Sequence, residues 1–269
     1  MKKNGKILII ILVVILSVFM LAGCVTTNEQ ISVTLPENYN LTEITAQKVL
    51  ESNVVIQAET RNATHSIISK GSGVILTSDG YILTNKHVIS GDKQVSSLAT
   101  VDKITVEVMR DGYSVTYRAK YITEANVGKY SEIDLAIIKI DAVTSIPFKP
   151  IELGSIDTIK YGTPGLIIGN PKGLGIMVSN AMVSSPKVEF ELPGGTNNYK
   201  YIALNADVNS GNSGGGMYDY SGKLIGIVTL REVDDSTENS NVVLGIGYAI
   251  RVDEVSEYLK AYPNIKVGK

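Results

Sequence analysis

Between Asn53 and Ile250 the chain is a succession of short β-type runs divided by turn signals. Residues 54–56, 73–76, 81–84, 104–108 and 135–140 are such runs in the first half, and 165–168, 177–183, 199–204, 223–230 and 242–250 in the second. Ser78-Asp79-Gly80 and Asp111-Gly112 are turns between them. A βαβ protein needs a helical pattern between successive strands, and this spacing leaves no room for one. The pattern therefore predicts an all-β sandwich or barrels. The 25 glycines and the absence of Trp suit a turn-rich β protein. The runs also fall into two similar halves, 53–143 and 156–250, as two stacked barrels would require. Helices are expected only at the ends. One covers 42–52, with Thr42 as N-cap and Ile44, Val49 and Leu50 on an apolar side. The other closes the chain at 252–262, with Val252, Val255 and Leu259 on one face. The polar run 234–241 reads as an exposed hairpin loop.

The N-terminus has a different character. Lys2, Lys3 and Lys6 precede an apolar stretch from Ile7 to Ala22, followed by Gly23 and Cys24. Its 16 positions fall short of the ~20 needed to span a bilayer. The basic, apolar and small-residue order matches a secretory signal, with a membrane-spanning anchor as the plainer alternative. Leu21-Ala22-Gly23-Cys24 resembles a bacterial lipoprotein box, in which the cysteine becomes the acylated N-terminus. That reading divides the chain into a signal peptide (1–23), a polar tether (24–40) and one globular domain (41–262). It also accounts for the single cysteine: the mature fold has no disulfide although it faces an extracytoplasmic space. The net charge of −2 provides no basic field for nucleic acid.

Three residues stand out chemically. His87 is one of two histidines and ends the run 81–84 in Thr84-Asn85-Lys86-His87; the other, His65, lies in a polar stretch. An imidazole titrates near neutrality and so serves as a general base. Ser213 lies in Gly211-Asn212-Ser213-Gly214-Gly215-Gly216. Glycines let backbone N–H groups approach a substrate carbonyl without a Cβ in the way, and the Gly211, Asn212 and Ser213 segment would form an oxyanion hole through the Gly211 and Ser213 amides. Asp134 opens the apolar run 135–140, where a carboxylate is drawn partly into the core and needs a hydrogen-bond donor. A simple hairpin loop, a structural histidine and a strand-starting turn are the plain alternatives for the three.

Taken in chain order, His87, Asp134 and Ser213 follow the order of the trypsin-like serine proteases. Gly71-Ser72-Gly73-Val74-Ile75-Leu76 with the segment 79–88 resembles the histidine motif of the HtrA/Deg branch. Asp134-Leu135-Ala136 is similar to its aspartate motif, Ile168-Gly169-Asn170-Pro171 to its middle signature, and Gly245-Ile246-Gly247-Tyr248-Ala249-Ile250 to its last barrel strand. The resemblance implies two six-stranded antiparallel barrels, about 53–145 and 155–250, with the site between them. It implies peptide-bond hydrolysis through an acyl-enzyme on extracytoplasmic proteins, with no cofactor and no metal. Thr229, Leu230 and Arg231 would form the strand edge that pairs with substrate. The sequence departs from the family in two residues, Gly216 for Pro and Ala181 for Gly. Only 19 residues follow Ile250 in the 269-residue chain, so no PDZ domain is expected.

The specificity pocket is ambiguous in sequence. Asp207 lies six positions before Ser213, where trypsin-like enzymes place the carboxylate that selects Lys or Arg. Ile246 would narrow the pocket and Arg231 could pair with Asp207, which favours small or medium aliphatic side chains. Two rivals to an endopeptidase are a catalytically silent surface-binding lipoprotein on the same scaffold and an esterase or self-processing protease.

Overall fold

The computed structural model describes residues 40–61, 66–90, 101–122, 128–191, 196–206, 208–234 and 241–269. Cys24 with the whole signal and tether, His65, Asp207 and the tip of the polar loop lie outside the described residues.

Chain entry is set by a helix, α1 (Leu41–Val49), continued by a 3-10 turn at Leu50–Ser52. Its N-cap is Asn40 rather than Thr42: the Asn40 side chain accepts from the Glu43 amide at 3.2 Å. An amide oxygen of Asn reaches an orphan helical N–H, leaving Thr42 in the first turn. Ile44 is exposed, and the helix instead buries Thr45 and Val49. Thr45 Oγ1 donates to the Tyr220 carbonyl at 3.0 Å, so a polar contact docks the helix where an apolar one was expected.

The first barrel comprises β1 (Asn53–Arg61), β2 (Ser66–Ile75), β3 (Tyr81–Thr84), β4 (Val101–Arg110), β5 (Tyr113–Ile122) and β6 (Ala136–Ile140). They close in the order β1-β2-β3-β6-β5-β4, every pair antiparallel. Period-2 alternation sends Ile104, Val106 and Val108 of β4 inward. β5 carries little apolar signal because nine of its ten residues are exposed or half-buried, leaving Ala119 alone buried.

The second barrel comprises β8 (Pro164–Gly169), β9 (Met177–Glu191), β10 (Asn198–Asn205), β11 (Gly216–Asp219), β12 (Lys223–Asp234) and β13 (Asn241–Arg251). The order β11-β8-β9-β10-β13-β12 is closed by pairing between β11 and β12. A two-residue strand between the barrels, β7 (Glu152–Leu153), adds to β12 in parallel. The fold is thus two closed six-stranded antiparallel barrels, with β7 as an unexpected addition. The closing helix, α3 (Val252–Leu259), packs Val252, Val255 and Tyr258 inward.

Three cores result. The first barrel is filled by Val54, Ile56, Ile75, Ile82, Ile138 and their neighbours. The second is filled by Ile167, Val183, Ile202, Leu204 and Val228, among others. A third layer lies between the barrels and includes Leu83, Leu135, Tyr201, Tyr218 and Tyr258. Among the described residues no helix is long and apolar enough to cross a membrane.

Candidate active site

His87 stands on the short helix α2 (Lys86–Ile89), which follows β3 directly. Asp134 stands just before β6, the strand that pairs with β3. Adjacent strands in the barrel therefore bring the two together from 47 positions apart. Asp134 Oδ1 accepts from the His87 backbone N–H at 3.0 Å, and Oδ2 lies 2.7 Å from His87 Nδ1. A carboxylate accepts only, so Nδ1 carries the proton and Nε2 is left with a free lone pair. The Asp134 side chain is 11% exposed and that of His87 50%, which puts the acid inside and the imidazole at the cleft.

Two polar residues hold Asp134: Asn85, and Thr229, which the sequence marked only as part of the substrate-pairing edge. Asn85 Nδ2 donates to its backbone carbonyl at 2.7 Å, and Thr229 Oγ1 donates to its Oδ2 at 2.7 Å. Thr229 reaches it through a β-bulge. Val228 pairs with Ala249 and Leu230 with Tyr248, so Thr229 is an extra residue on β12. A bulge re-aims the side chain it inserts. Among the described residues, β12 has no partner strand opposite β13 beyond Ile227, apart from the turn carrying Ser213. The segment Thr229, Leu230 and Arg231 thus begins an open edge. The side chains of Leu230 and Arg231, like Asp207, lie outside what is described, and so does any pairing between the last two.

Ser213 lies in the turn that leads into β11, half-buried. The turn is fixed by its glycines. Gly211 and Gly214 have φ of +98° and +84°, and a Cβ on either would sit 2.1 Å from a carbonyl oxygen, that of Asn170 or Ser72. Among the described residues no group accepts from the Gly211 and Ser213 amides. Asn212, between them, has a different part in the segment. Its N–H donates to the Asn209 carbonyl at 3.0 Å, so it shapes the turn and offers no free amide. Ser213 Oγ donates to the Thr229 carbonyl at 3.3 Å, the only hydrogen bond it makes among the described residues.

The first barrel also holds this turn, through Ser72 on β2. Its N–H donates to the Ser213 carbonyl at 2.8 Å, and its Oγ donates to the Gly211 carbonyl at 2.6 Å while accepting from the Asn170 amide at 2.8 Å. Its own carbonyl accepts from Thr84 Oγ1 at 2.7 Å. Ser72 is fully buried. In sequence it looked like a small residue of the histidine motif, because the partners of its N–H and Oγ lie 98 to 141 positions away.

Ile246 stands on β13 and is 40% exposed. Beside it Val208 packs against Gly247, where a Cβ would sit 2.2 Å from Val208 Cγ2. A cleft of about 470 Å³ opens beside His87 and Ser213. A larger hollow of about 660 Å³ lies on the first barrel around Asp102, Lys103 and Arg118 and contains neither. The chemistry decides between them: only the smaller cleft joins a hydroxyl to an oriented imidazole.

The profile of the trypsin-like peptidase domain matches residues 71–227, which includes every group just described except those before Gly71 and after Ile227. Thr229 alone of the hydrogen-bonded site residues falls outside the match. The chain belongs to the trypsin-like peptidase family. Within it, the chain is 31% identical to serine protease PepD of Mycobacterium tuberculosis over 79% of its length. It is 35% identical over 71% of its length to a Haemophilus influenzae protein named "Probable periplasmic serine protease do/HhoA-like". The matched stretches span 44% and 36% of those two relatives. The solved structure of the HtrA-type protease AlgW with tripeptide is similar at a TM-score of 0.60 and 31% identity, covering 82% of this trypsin-like chain and 62% of that one.

Proposed function

We propose that this trypsin-like domain is a serine endopeptidase with Ser213 as nucleophile, His87 as general base and Asp134 as the residue that orients the imidazole. The observation that carries the reading is the double hydrogen bond from His87 to Asp134, which fixes the tautomer and aims Nε2 at the cleft holding Ser213. Nε2 takes the Ser213 proton as Oγ bonds to the scissile carbonyl carbon. The Gly211 and Ser213 amides, unpartnered among the described residues, donate to the oxyanion, a contribution of about 2.7–4 kcal/mol per donor. The imidazolium returns its proton to the departing amine as the C–N bond breaks, and water repeats the sequence to free the enzyme. The open edge at Thr229, Leu230 and Arg231 takes the acyl half of an extended substrate. Val208 on Gly247, with Ile246 beside it, favours a small or medium aliphatic side chain before the scissile bond; Asp207 favouring Lys or Arg is the competing outcome.

The substrates are exposed segments of extracytoplasmic proteins, and Cys24 is the site of lipid attachment to a membrane. Support comes from the lipoprotein-like segment at 21–24 and from the periplasmic name of one relative. Reaction with a fluorophosphonate probe and digestion of an unfolded protein test the activity together. Ser213→Ala should lose both, the turnover falling about 10⁴–10⁶-fold. Unchanged digestion by the folded Ser213→Ala protein ends the proposal. A wild-type protein inert to both assays favours the silent scaffold, and labelling without digestion favours an esterase or a self-processing enzyme.

A further inference from the structure

The cleft beside His87 and Ser213 has two walls that the catalytic proposal leaves unused. One is β2 at residues 67–70; the other is Lys172 and Gly173, next to Ser210. Among the described residues, none of β12 lines it. Since the acyl half of a substrate follows the β12 edge, the cleft on the opposite side of Ser213 faces the leaving-group half.

Its backbone is suited to an extended chain. β3 pairs with β2 only at Val74 and Ile75, so the same edge of β2 has no partner strand among the described residues from Ser66 to Lys70. Ser72 uses that edge to bond Ser213. Two residues earlier, Lys70 presents its own N–H and C=O in the same direction, because strand geometry repeats every second residue.

Its charge is one-sided. Among the described residues, Lys70 and Lys172 line the cleft, no carboxylate does, and neither lysine has an ion-pair partner. Both are directed there by backbone features. The stem of Lys70 lies across Gly173, where a Cβ would sit 2.4 Å from its Cδ. Lys172 has a left-handed backbone, φ 57°, and its N–H donates to the Ser210 carbonyl at 2.7 Å, next to the turn that carries the nucleophile. Two unpaired ammonium groups at one mouth repel each other unless an anion lies between them.

We propose that this cleft binds the residues after the scissile bond and selects an acidic side chain among them. The inference rests on the endopeptidase reading for its orientation, and it adds the chemistry of the substrate. Quenched-fluorescence peptides, identical before the scissile bond and carrying Glu, Gln or Lys at each of the first three positions after it, provide the test. At one of these positions Glu should exceed Gln in kcat/KM by about three- to tenfold at low ionic strength, with Lys lowest, and the advantage should shrink in 0.5 M salt. In Lys70→Gln/Lys172→Gln, Glu and Gln should become equal within about twofold, and Lys70→Glu/Lys172→Glu should reverse the order. Equal Glu and Gln peptides in the wild type, or a Glu preference that survives the double Gln variant, overturns the proposal. Peptides matching only the leaving-group half, followed by fluorescence anisotropy on Ser213→Ala protein, separate the two readings. If acidic peptides bind no tighter than neutral ones, the cleft assignment fails. If they do bind tighter but the wild type neither labels nor cleaves, the endopeptidase reading fails and the cleft stands.

Discussion

The interiors of the two barrels and the seam between them are built from different residues. All six buried tyrosines among the described residues, Tyr130, Tyr199, Tyr201, Tyr218, Tyr258 and Tyr262, belong to the layer between the barrels. The buried residues inside each barrel include none. Tyr218 donates to Asn53 Oδ1 at 3.0 Å, and Tyr258 donates to the Leu135 carbonyl at 3.1 Å, beside Asp134. Ser72, Asn85 and Thr229 lie along the same seam, each hydrogen-bonded to the opposite barrel or to the Asp134 turn. Aliphatic groups fill a barrel without caring about direction. A seam that must hold a hydroxyl, an imidazole and two amides in register needs directional bonds. Tyr201 is the exception: its buried hydroxyl has no partner among the described residues, and the ring is held by stacking on Phe190 at 4.0 Å. Burial pushes its phenol well above the ordinary value, so it stays neutral.

If the seam carries function and the interiors carry only stability, mutations should separate along that line. Asp134→Asn stands at one extreme. It keeps the shape but favours the wrong imidazole tautomer, and kcat should fall about 10⁴-fold with little change in thermal midpoint. A loss of less than tenfold would remove Asp134 from its assigned role. Ser72→Ala should have a smaller effect. It frees the Gly211 carbonyl and strips the Asn170 amide of its acceptor, so the oxyanion turn loses its brace. kcat should drop about 10–100-fold with KM nearly constant, and a peptide boronate should bind more weakly by a similar factor. If kcat holds while only the melting temperature falls, Ser72 is structural alone. Least in rate is Tyr218→Phe, whose hydroxyl bonds Asn53 and no group of the proposed triad. Its stability should fall by about 1–2 kcal/mol, because Asn53 loses a buried partner, with kcat unchanged within twofold. Ile138→Val inside the first barrel should cost a similar 0.5–1.5 kcal/mol, also without effect on rate.

The same division governs what could be read in advance. Barrel interiors announce themselves through alternation and apolar runs, so most strands were legible, as was the pairing of the chain into two halves. β5 and β11 were not. The first, Tyr113–Ile122, is largely exposed, and the second, Gly216–Asp219, emerges straight from a glycine-rich turn. At the candidate site, His87, Asp134 and Ser213 were legible because each sits in a context that is costly without a special purpose: an acid before a buried strand, a serine among glycines. Ser72, Asn85 and Thr229 gave no such signal. Small polar residues in or beside strands are ordinary, and Thr229 is turned toward Asp134 only by a bulge that no local pattern marks.

The hydrogen bond from Ser213 Oγ to the Thr229 carbonyl has a kinetic consequence. On the proposed reading that carbonyl is also the first acceptor on the open edge of β12, so resting hydroxyl and docking amide share one oxygen with two lone pairs. On that reading, a peptide amide N–H that takes the lone pair used by the hydroxyl displaces it toward His87, and readiness to react is conferred by the substrate's own main chain. A reagent that cannot donate there must wait for spontaneous release. Replacing the single amide N–H before the scissile carbonyl with an ester oxygen should therefore slow acylation about tenfold, some 1.4 kcal/mol, beyond any loss in binding. Equal acylation rates for the amide and ester forms at saturation would show that the two events are independent.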